Sequence, residues 1–247
     1  PSFATTNSGV APIVGLITVT PQITLGGTTC FGSPKNFNIT VNPIPSITNP
    51  SDLFLCHNDN SGIIYLSGSV ANSTYTWSNN TTSINLGASG TGNISSFVAS
   101  NTSSSPVNAT ITITPSFGPT GSVCTGTSET FTITVNPIPT VNAVANQTIC
   151  VGAGTSTVTL GGSLVSGTTY SWTNNNTAIG LGASGNGNIP SFTTINTGTL
   201  PQVATINITP LYTNIGLTCT GAARQFTFTV NAVPVIANMQ ETICSES

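Results

Sequence analysis

FTITVNPIPTV, at residues 131–141, is the stretch that decides the fold. Nearly the same letters stand at 37–47 (FNITVNPIPSI) and at 226–236 (FTFTVNAVPVI). Up to the valine, apolar residues alternate with polar ones, and this period of two is typical of a half-buried β-strand. A segment containing proline follows each time. The chain therefore repeats one unit, which ends in a strand and a proline-containing linker.

The cysteines and tryptophans give the period of this repeat. Counterparts follow one another at intervals of 94 or 95 residues, in the series Cys30, Cys124, Cys219; Cys56, Cys150, Cys244; and Trp77, Trp172. The period predicts the second half of a repeat at 1–46, complete repeats at 47–140 and 141–235, and the start of a further repeat at 236–247. A repeat of this size can fold alone but with modest stability, so a covalent crosslink would matter.

Charge is almost absent from the chain. Charged residues make up 3% of it, with a net charge of −3, against about a quarter in ordinary soluble domains. The two cations, Lys35 and Arg224, cannot form the basic patch that nucleic acid or an anionic membrane surface requires. No apolar run approaches the roughly 20 residues of a membrane-spanning helix. We expect neither nucleic-acid binding nor membrane insertion.

Each repeat reads as a series of short strands. Apolar and hydroxyl residues alternate repeatedly, and no stretch has the 3.6-residue period of an amphipathic helix. Tyr75 and Trp77 share one face of an early strand, as do Tyr170 and Trp172. About seven strands with a tryptophan in this position predict an all-β fold of tandem immunoglobulin-like Greek-key β-sandwiches, with these four aromatic residues in the cores.

The periodic cysteines predict disulfides and an extracytoplasmic setting, since the CxxC pairs and histidines of a zinc site are missing. Two pairings fit the spacing. One lies within each repeat, Cys56–Cys124 and Cys150–Cys219; the other crosses the linker, Cys30–Cys56, Cys124–Cys150 and Cys219–Cys244. We expect the first cysteine of a sandwich at the same end as the loop before the last strand, whereas crossing the linker adds a strand length of roughly 20 Å. Because a disulfide needs Cα atoms within roughly 7 Å, the prediction is the pairing within each repeat.

Prolines mark the joints between repeats. They stand at Pro43, Pro45, Pro137, Pro139 and Pro234. Proline fixes φ and biases the preceding residue to extended backbone. The sequence therefore predicts short stiff linkers that join the sandwiches end to end.

A second repeated phrase is rich in glycine: INLGASGTGNISSF at 84–97 and IGLGASGNGNIPSF at 179–192. It lacks the lysine and the strand–loop–helix context of a phosphate-binding loop. We interpret it as a structural crossover between sheets, in which glycine supplies positive φ and Asn93 and Asn188 are turn residues.

The ionisable residues are too few for a catalytic site. The chain has one histidine, His57, and five acidic residues, from which no Ser–His–acid set, carboxylate pair or cofactor fingerprint can be assembled. Calcium at Asp52 and Asp59 is the alternative for one repeat, but Asn146 and Gly154 replace these acids in the next. The expectation is no enzymatic activity, no cofactor and no metal.

The repeat also resembles a known family. The phrases TYxWxNxxTxIxLGASGxGNIPSF, ATIxITP and CTGxxxxFTxTVNPxP are carried by Tyr170, Trp172 and residues 179–192, 204–210 and 124–139. They resemble the PKD-like, immunoglobulin-like tandem repeats of very large Bacteroidota surface proteins, including the SprB-like adhesins of gliding flavobacteria. The resemblance implies type IX secretion, an outer-surface location, and anchoring to outer-membrane motility or secretion machinery through other regions. The third linker departs from the pattern at Ala232.

The sequence is compatible with three functional hypotheses. The leading hypothesis is a non-catalytic structural region of an extracellular filament or adhesin, which holds a distal adhesive region away from the cell for attachment or gliding. Its partners would be neighbouring repeats, and surface polysaccharide or a substratum through the distal regions. The alternative is a polysaccharide-binding β-sandwich module. A third hypothesis, ice or mineral binding, would use Thr-x-Thr faces such as Thr132/Thr134 and Thr227/Thr229.

Overall fold

The computed structural model describes residues 4–235 and 241–243. The chain divides into two compact units, one containing 1–101 and 106–135 and the other containing 102–105 and 136–247. Apart from two short 3-10 helices, every regular element in the described residues is a β-strand. The predicted start of a further repeat, at 236–247, lies mostly outside the described residues, so the predicted division into four segments stays a prediction.

The first unit opens with two hairpin-like pairs: β1 (Ile13–Val19) with β4 (Lys35–Val41), and β2 (Gln22–Leu25) with β3 (Thr28–Phe31). Both pairs are antiparallel. Phe37 on β4 is 51% exposed, whereas its counterpart Phe131 in the next repeat is 3% exposed. The difference arises because the strands that cover Phe131 have no equivalent in residues 4–46.

The first complete repeat follows. Its strands are β5 (Ile47–Thr48), β6 (Leu53–Cys56), β7 (Ser67–Gly68), β8 (Thr74–Asn79), β9 (Ser89–Thr91), β10 (Val107–Phe117), β11 (Cys124–Thr125) and β12 (Glu129–Asn136), with 3-10 helix η1 (Thr82–Ile84). The main sheet has the order β6-β12-β10-β8-β9, and β11 also pairs with β10. A sparse second layer contains the β5–β7 pair and the bridges Asn60–Val98 and Ile64–Ile94.

The second complete repeat has the same main sheet. Its strands are β13 (Gln147–Cys150), β14 (Thr169–Asn174), β15 (Ser184–Asn186), β16 (Gln202–Asn214), β17 (Leu217–Thr220) and β18 (Arg224–Asn231), with 3-10 helix η2 (Thr177–Ile179). The order is β13-β18-β16-β14-β15, with β17 on β16. β13 runs parallel to β18, and the other pairs are antiparallel. The predicted all-β immunoglobulin-like sandwich is confirmed.

Alternation along the central strands builds each core. On β16, Ala204, Ile206 and Ile208 are fully buried, whereas Thr205 and Asn207, which lie between them, are only half-buried. Phe228 on β18 packs edge-to-face against Phe192 and Phe226, with ring centroids 5.2 and 5.0 Å away. No helix in the described ranges has the length and apolar character needed to cross a bilayer.

Candidate functional site

Each complete repeat packs its tryptophan against a glycine on the neighbouring strand. Trp172 on β14 pairs with Gly185 on β15, and Trp77 on β8 pairs with Gly90 on β9. A Cβ on either glycine would overlap the indole ring. Trp77 is only 9% exposed and Trp172 only 6%, and each indole Nε1 is buried without a hydrogen-bond partner. Both rings are therefore core groups rather than platforms for a sugar.

The neighbouring tyrosines lie less deeply. Tyr75 and Tyr170 are partly buried and pack against the core of their own repeat. Burial raises the pKa of the Tyr75 phenol above its ordinary value, because desolvation disfavours the charged form.

Two buried asparagines that sequence reasoning missed hold the glycine-rich crossover. The Nδ2 of Asn174 donates to the carbonyls of Leu181 and Gly182, at 3.0 and 3.2 Å, and its Oδ1 accepts from Asn176 N at 3.0 Å. Asn79 makes the equivalent bonds in the first complete repeat. The signal that could have found them is the shared phrase YxWxN, in which this asparagine keeps its distance from the tryptophan.

The predicted turn asparagines of the crossover link it to the early strand region of each repeat. Asn93 Oδ1 accepts from Leu66 N, and Asn188 Oδ1 accepts from Leu160 N, both at 2.9 Å. Gly92 and Gly187, which precede them, have φ values of 72° and 69°. Only glycine adopts this left-handed backbone readily.

Polar side chains also hydrogen-bond to the backbone of the last strand of each complete repeat, β12 and β18. Asn101 and Asn196 donate from Nδ2 to the carbonyls of Val135 and Val230, at 2.7 and 2.8 Å. In a second such pair, Asp52 accepts from Thr132 N at 2.7 Å and Asn146 accepts from Thr227 N at 2.8 Å. The Asp52 carboxylate and the Asn146 amide thus accept the same hydrogen bond from the last strand. This gives Asp52 a structural role that does not involve calcium.

Two further ionisable side chains accept hydrogen bonds from nearby backbone N–H groups. Asp59 Oδ2 accepts from Cys56 N at 2.8 Å, and His57 Nδ1 accepts from Asn101 N at 3.0 Å. Within residues 4–235 and 241–243, no three His, Cys, Asp or Glu side chains come together as metal ligands would.

The predicted disulfides Cys56–Cys124 and Cys150–Cys219 are wrong. Cys124 and Cys150 are unpaired, as is Cys30, whereas Cys56 and Cys219 are each disulfide-bonded. Cys244 lies outside the described residues. The pairing across the linker is also excluded for Cys30–Cys56 and Cys124–Cys150.

The direction of the first strand explains the error. β13 runs parallel to β18 and brings Cys150 opposite Asn231, the last residue of β18. Cys219 pairs with Tyr212 on β16, beyond the point where β18 begins at Arg224. The length of β18, roughly 25 Å, thus separates two cysteines that we expected at one end. The prediction placed the cysteine at the start of the first strand, but it stands at the end.

The predicted linker prolines are buried in the first two linkers and exposed in the third. Pro43, Pro45, Pro137 and Pro139 are buried, and Pro234 is exposed. A Cβ on Gly126 would overlap the carbonyl of Pro45, and one on Gly221 would overlap that of Pro139. The glycine of each CTG phrase therefore lets the linker lie directly against the repeat that follows it.

The positions considered for polysaccharide or ice binding are buried or half-buried: Trp77, Trp172 and the Thr-x-Thr pairs. A shallow depression in the second complete repeat is lined by Thr168, Thr169, Tyr170, Asn186, Gly187 and Leu211, with one half-buried aromatic ring and no charge. Both ring–ring contacts within the described residues lie in a core. Thr134, one member of the Thr-x-Thr pairs, is only 5% exposed. Neither an aromatic platform nor a fully exposed threonine ladder is present at these positions.

No protein-family model matches the chain, and no curated protein matches it. Among solved structures, the ectodomain of human desmocollin-1 is similar at 14% sequence identity, over 95% of this chain and 50% of that one, with a TM-score of 0.26. The chain thus spans about half the length of that ectodomain.

Proposed function

We propose that this chain is a non-catalytic structural region of a bacterial cell-surface filament or adhesin. Its repeats would act as spacers that hold an adhesive region, located elsewhere in the protein, away from the cell. The proposal of a role in attachment or gliding, with export by type IX secretion, rests on the resemblance of the repeat phrases to those of Bacteroidota surface adhesins.

One observation carries the proposal: the polar side chains that a binding or catalytic protein would aim at a ligand are used to hold the sandwich together. Asn79, Asn101 and their counterparts Asn174 and Asn196 bond to backbone carbonyls. Equivalent asparagines make equivalent hydrogen bonds in both repeats. We expect this of a structural unit that is repeated along the chain, whereas a single active site would need its residues in one repeat only.

The disulfide-bonded cysteines support a location outside the cytoplasm. Cys56 and Cys219 are bonded in a chain whose repeats are small enough to benefit from a crosslink. Disulfides persist mainly in secreted and surface proteins, because cytoplasmic reductants keep thiols reduced. The low charge content favours the same setting, since a surface with few charges changes little when the salt concentration outside the cell changes.

Labelling of intact cells tests this proposal. Antibodies raised against residues 47–235 should bind producing cells without permeabilisation, and an in-frame deletion of 47–235 should weaken attachment or gliding while the rest of the protein still reaches the surface. A deletion of equal length in an unrelated surface protein is the control. Labelling that requires permeabilisation would contradict the surface location. Saturable binding of a polysaccharide by purified 47–235 would contradict the spacer role.

A further inference from the structure

In each complete repeat, the hairpin before the last strand contacts the linker that leads into that repeat. In the first unit this hairpin is β10–β11, with loop 118–123, and in the second unit it is β16–β17, with loop 215–216. Linker 42–45 lies in the first unit and linker 136–139 in the second, so each contact is made inside one unit. The two contacts can therefore be compared as separate examples of one arrangement.

The centre of the contact is a glycine that lies between two prolines. Gly126 donates its N–H to the carbonyl of Pro115, on its own hairpin, at 2.9 Å. The carbonyl of Pro45, in the linker, would overlap a Cβ added to Gly126. The second unit repeats this arrangement with Gly221, Pro210 and Pro139. A side chain on the glycine would push the linker away from the hairpin, so the glycine determines whether the linker can lie there.

The loop of the same hairpin holds the linker asparagine. Asn42 Nδ2 donates to the carbonyl of Ser122 at 3.2 Å, and the Cys124 thiol donates to the Asn42 carbonyl at 3.9 Å. In the second unit Asn136, which is fully buried, accepts from Asn214 Nδ2 at 2.8 Å. The two loops differ in length and in sequence, yet each places a polar group on the linker asparagine. The contact therefore does not depend on one particular loop sequence.

We propose that the hairpin before the last strand of each repeat is a docking site for the Asn-Pro-x-Pro segment that ends the preceding repeat. The occupant is an extended segment whose prolines fix its backbone before it docks, which lowers the entropy lost on docking. The hairpin supplies a glycine for the carbonyl of the second proline and a polar loop group for the asparagine. Each linker is then part of the repeat that follows it, and the second compact unit does include linker 136–139. The proposal does not rest on the proposed cellular function.

The thiol of Cys124 reports whether the first linker is docked. Cys124 is unpaired, half-buried and bonded to the Asn42 carbonyl, whereas Cys30 and Cys150 are unpaired and exposed. The full chain is labelled with N-ethylmaleimide for a series of times, and its peptic peptides are quantified by mass spectrometry. Cys124 should react several-fold more slowly than the two exposed cysteines, because access controls thiol reactivity.

Two variants should release the linker from opposite sides. Asn42→Ala removes the side-chain anchor of the linker, and Gly126→Ala removes the space for the linker carbonyl. Each should raise the labelling rate of Cys124 by about threefold or more, and the two exposed cysteines should keep their rates. Gly87→Ala, at a glycine with room for a Cβ, is the matched control and should leave the rate of Cys124 unchanged.

The double variant distinguishes one docked segment from two local disturbances. Asn42→Ala combined with Gly126→Ala should label Cys124 no faster than the faster single variant, because both changes release the same linker. Rate increases that multiply in the double variant would contradict docking.

Urea denaturation followed by tryptophan fluorescence checks that each variant is folded. If Gly126→Ala is unfolded, Asn42→Ala decides the matter, because Asn42 lies outside the first complete repeat. Unchanged labelling of Cys124 in the folded variants would overturn the proposal. Labelling of Cys124 at the rate of Cys30 in the wild-type chain would overturn it as well.

Discussion

At the scale of single residues, the contact between tryptophan and glycine determines how each sandwich packs. Gly185 has no space for a side chain because the ring of Trp172 lies on it, whereas Gly182, three residues earlier in the same phrase, has open space around its Cα. The two glycines look alike in the sequence. Their different surroundings make them a matched pair for a test.

Gly185→Ala should lower the free energy of unfolding by about 1–3 kcal/mol, because the new methyl group overpacks the core. Gly182→Ala should change it by no more than about 0.5 kcal/mol. Urea denaturation followed by tryptophan fluorescence measures both. Equal losses for the two variants would mean that the phrase matters for backbone conformation and not for the indole contact.

The phenol of Tyr75 gives a prediction on pH. Burial raises its pKa in the folded state, so the unfolded chain ionises first as pH rises. The stabilisation by the neutral phenol is complete below the ordinary tyrosine pKa and is lost as pH rises through the raised value. Stability should therefore fall above about pH 10, and Tyr75→Phe should reduce that fall. Tyr65→Phe, at a 72% exposed tyrosine, is the control and should leave the fall unchanged.

At the scale of strands, side-chain amides decide how the last strand is held. Asn196 is 8% exposed and bonds to the carbonyl of Val230, which ends the apolar run of β18. Asn196→Ala leaves a buried carbonyl without its donor and should cost about 1–3 kcal/mol in urea denaturation. Asn186→Ala, at an exposed asparagine, should cost far less. If both variants behave alike, the last strand is held by its backbone ladder alone.

Alternation in the sequence was sufficient to predict the strands and the cores of the complete repeats. A period of two places residues such as Ile206 and Ile208 on one face of their strand. The layer that faces them in a complete repeat buries them, whereas Phe37 lacks such a layer and is exposed. The disulfides could not be found in the same way. Cys150 is the last residue of β13 and lies opposite Asn231, and only the parallel pairing of β13 with β18 shows this.

The asparagines were missed for a different physical reason. Asn79 and Asn101 look like the many surface asparagines of this chain, and composition alone cannot separate them. These two side chains are buried because they donate hydrogen bonds to backbone carbonyls of the crossover and the last strand. Which carbonyls need a side-chain donor is known only once the tertiary structure is known. The one available signal was that Asn79 and Asn174 each stand two residues after the tryptophan of their repeat.

At the scale of the whole molecule, low charge should make stability insensitive to salt. The chain has two cations and five acidic residues. Raising sodium chloride from about 0.05 to about 0.5 M should change the free energy of unfolding by less than about 0.5 kcal/mol, because there are few charges to screen. Urea denaturation at the two salt concentrations measures this. A large decrease with salt would show that a few ion pairs matter more than the composition indicates.

Mechanical unfolding of the reduced chain tests the central claim most directly, namely that the chain is a series of equivalent sandwiches that serve as spacers. A single molecule is pulled from its two ends with all cysteines reduced. The account predicts two separate force peaks, one for each complete repeat, with similar forces and with contour-length gains of about 30 nm each. One peak with twice that gain would contradict the account, because the repeats would then unfold together. Extension without any peak would also contradict it, because the repeats would then not resist tension.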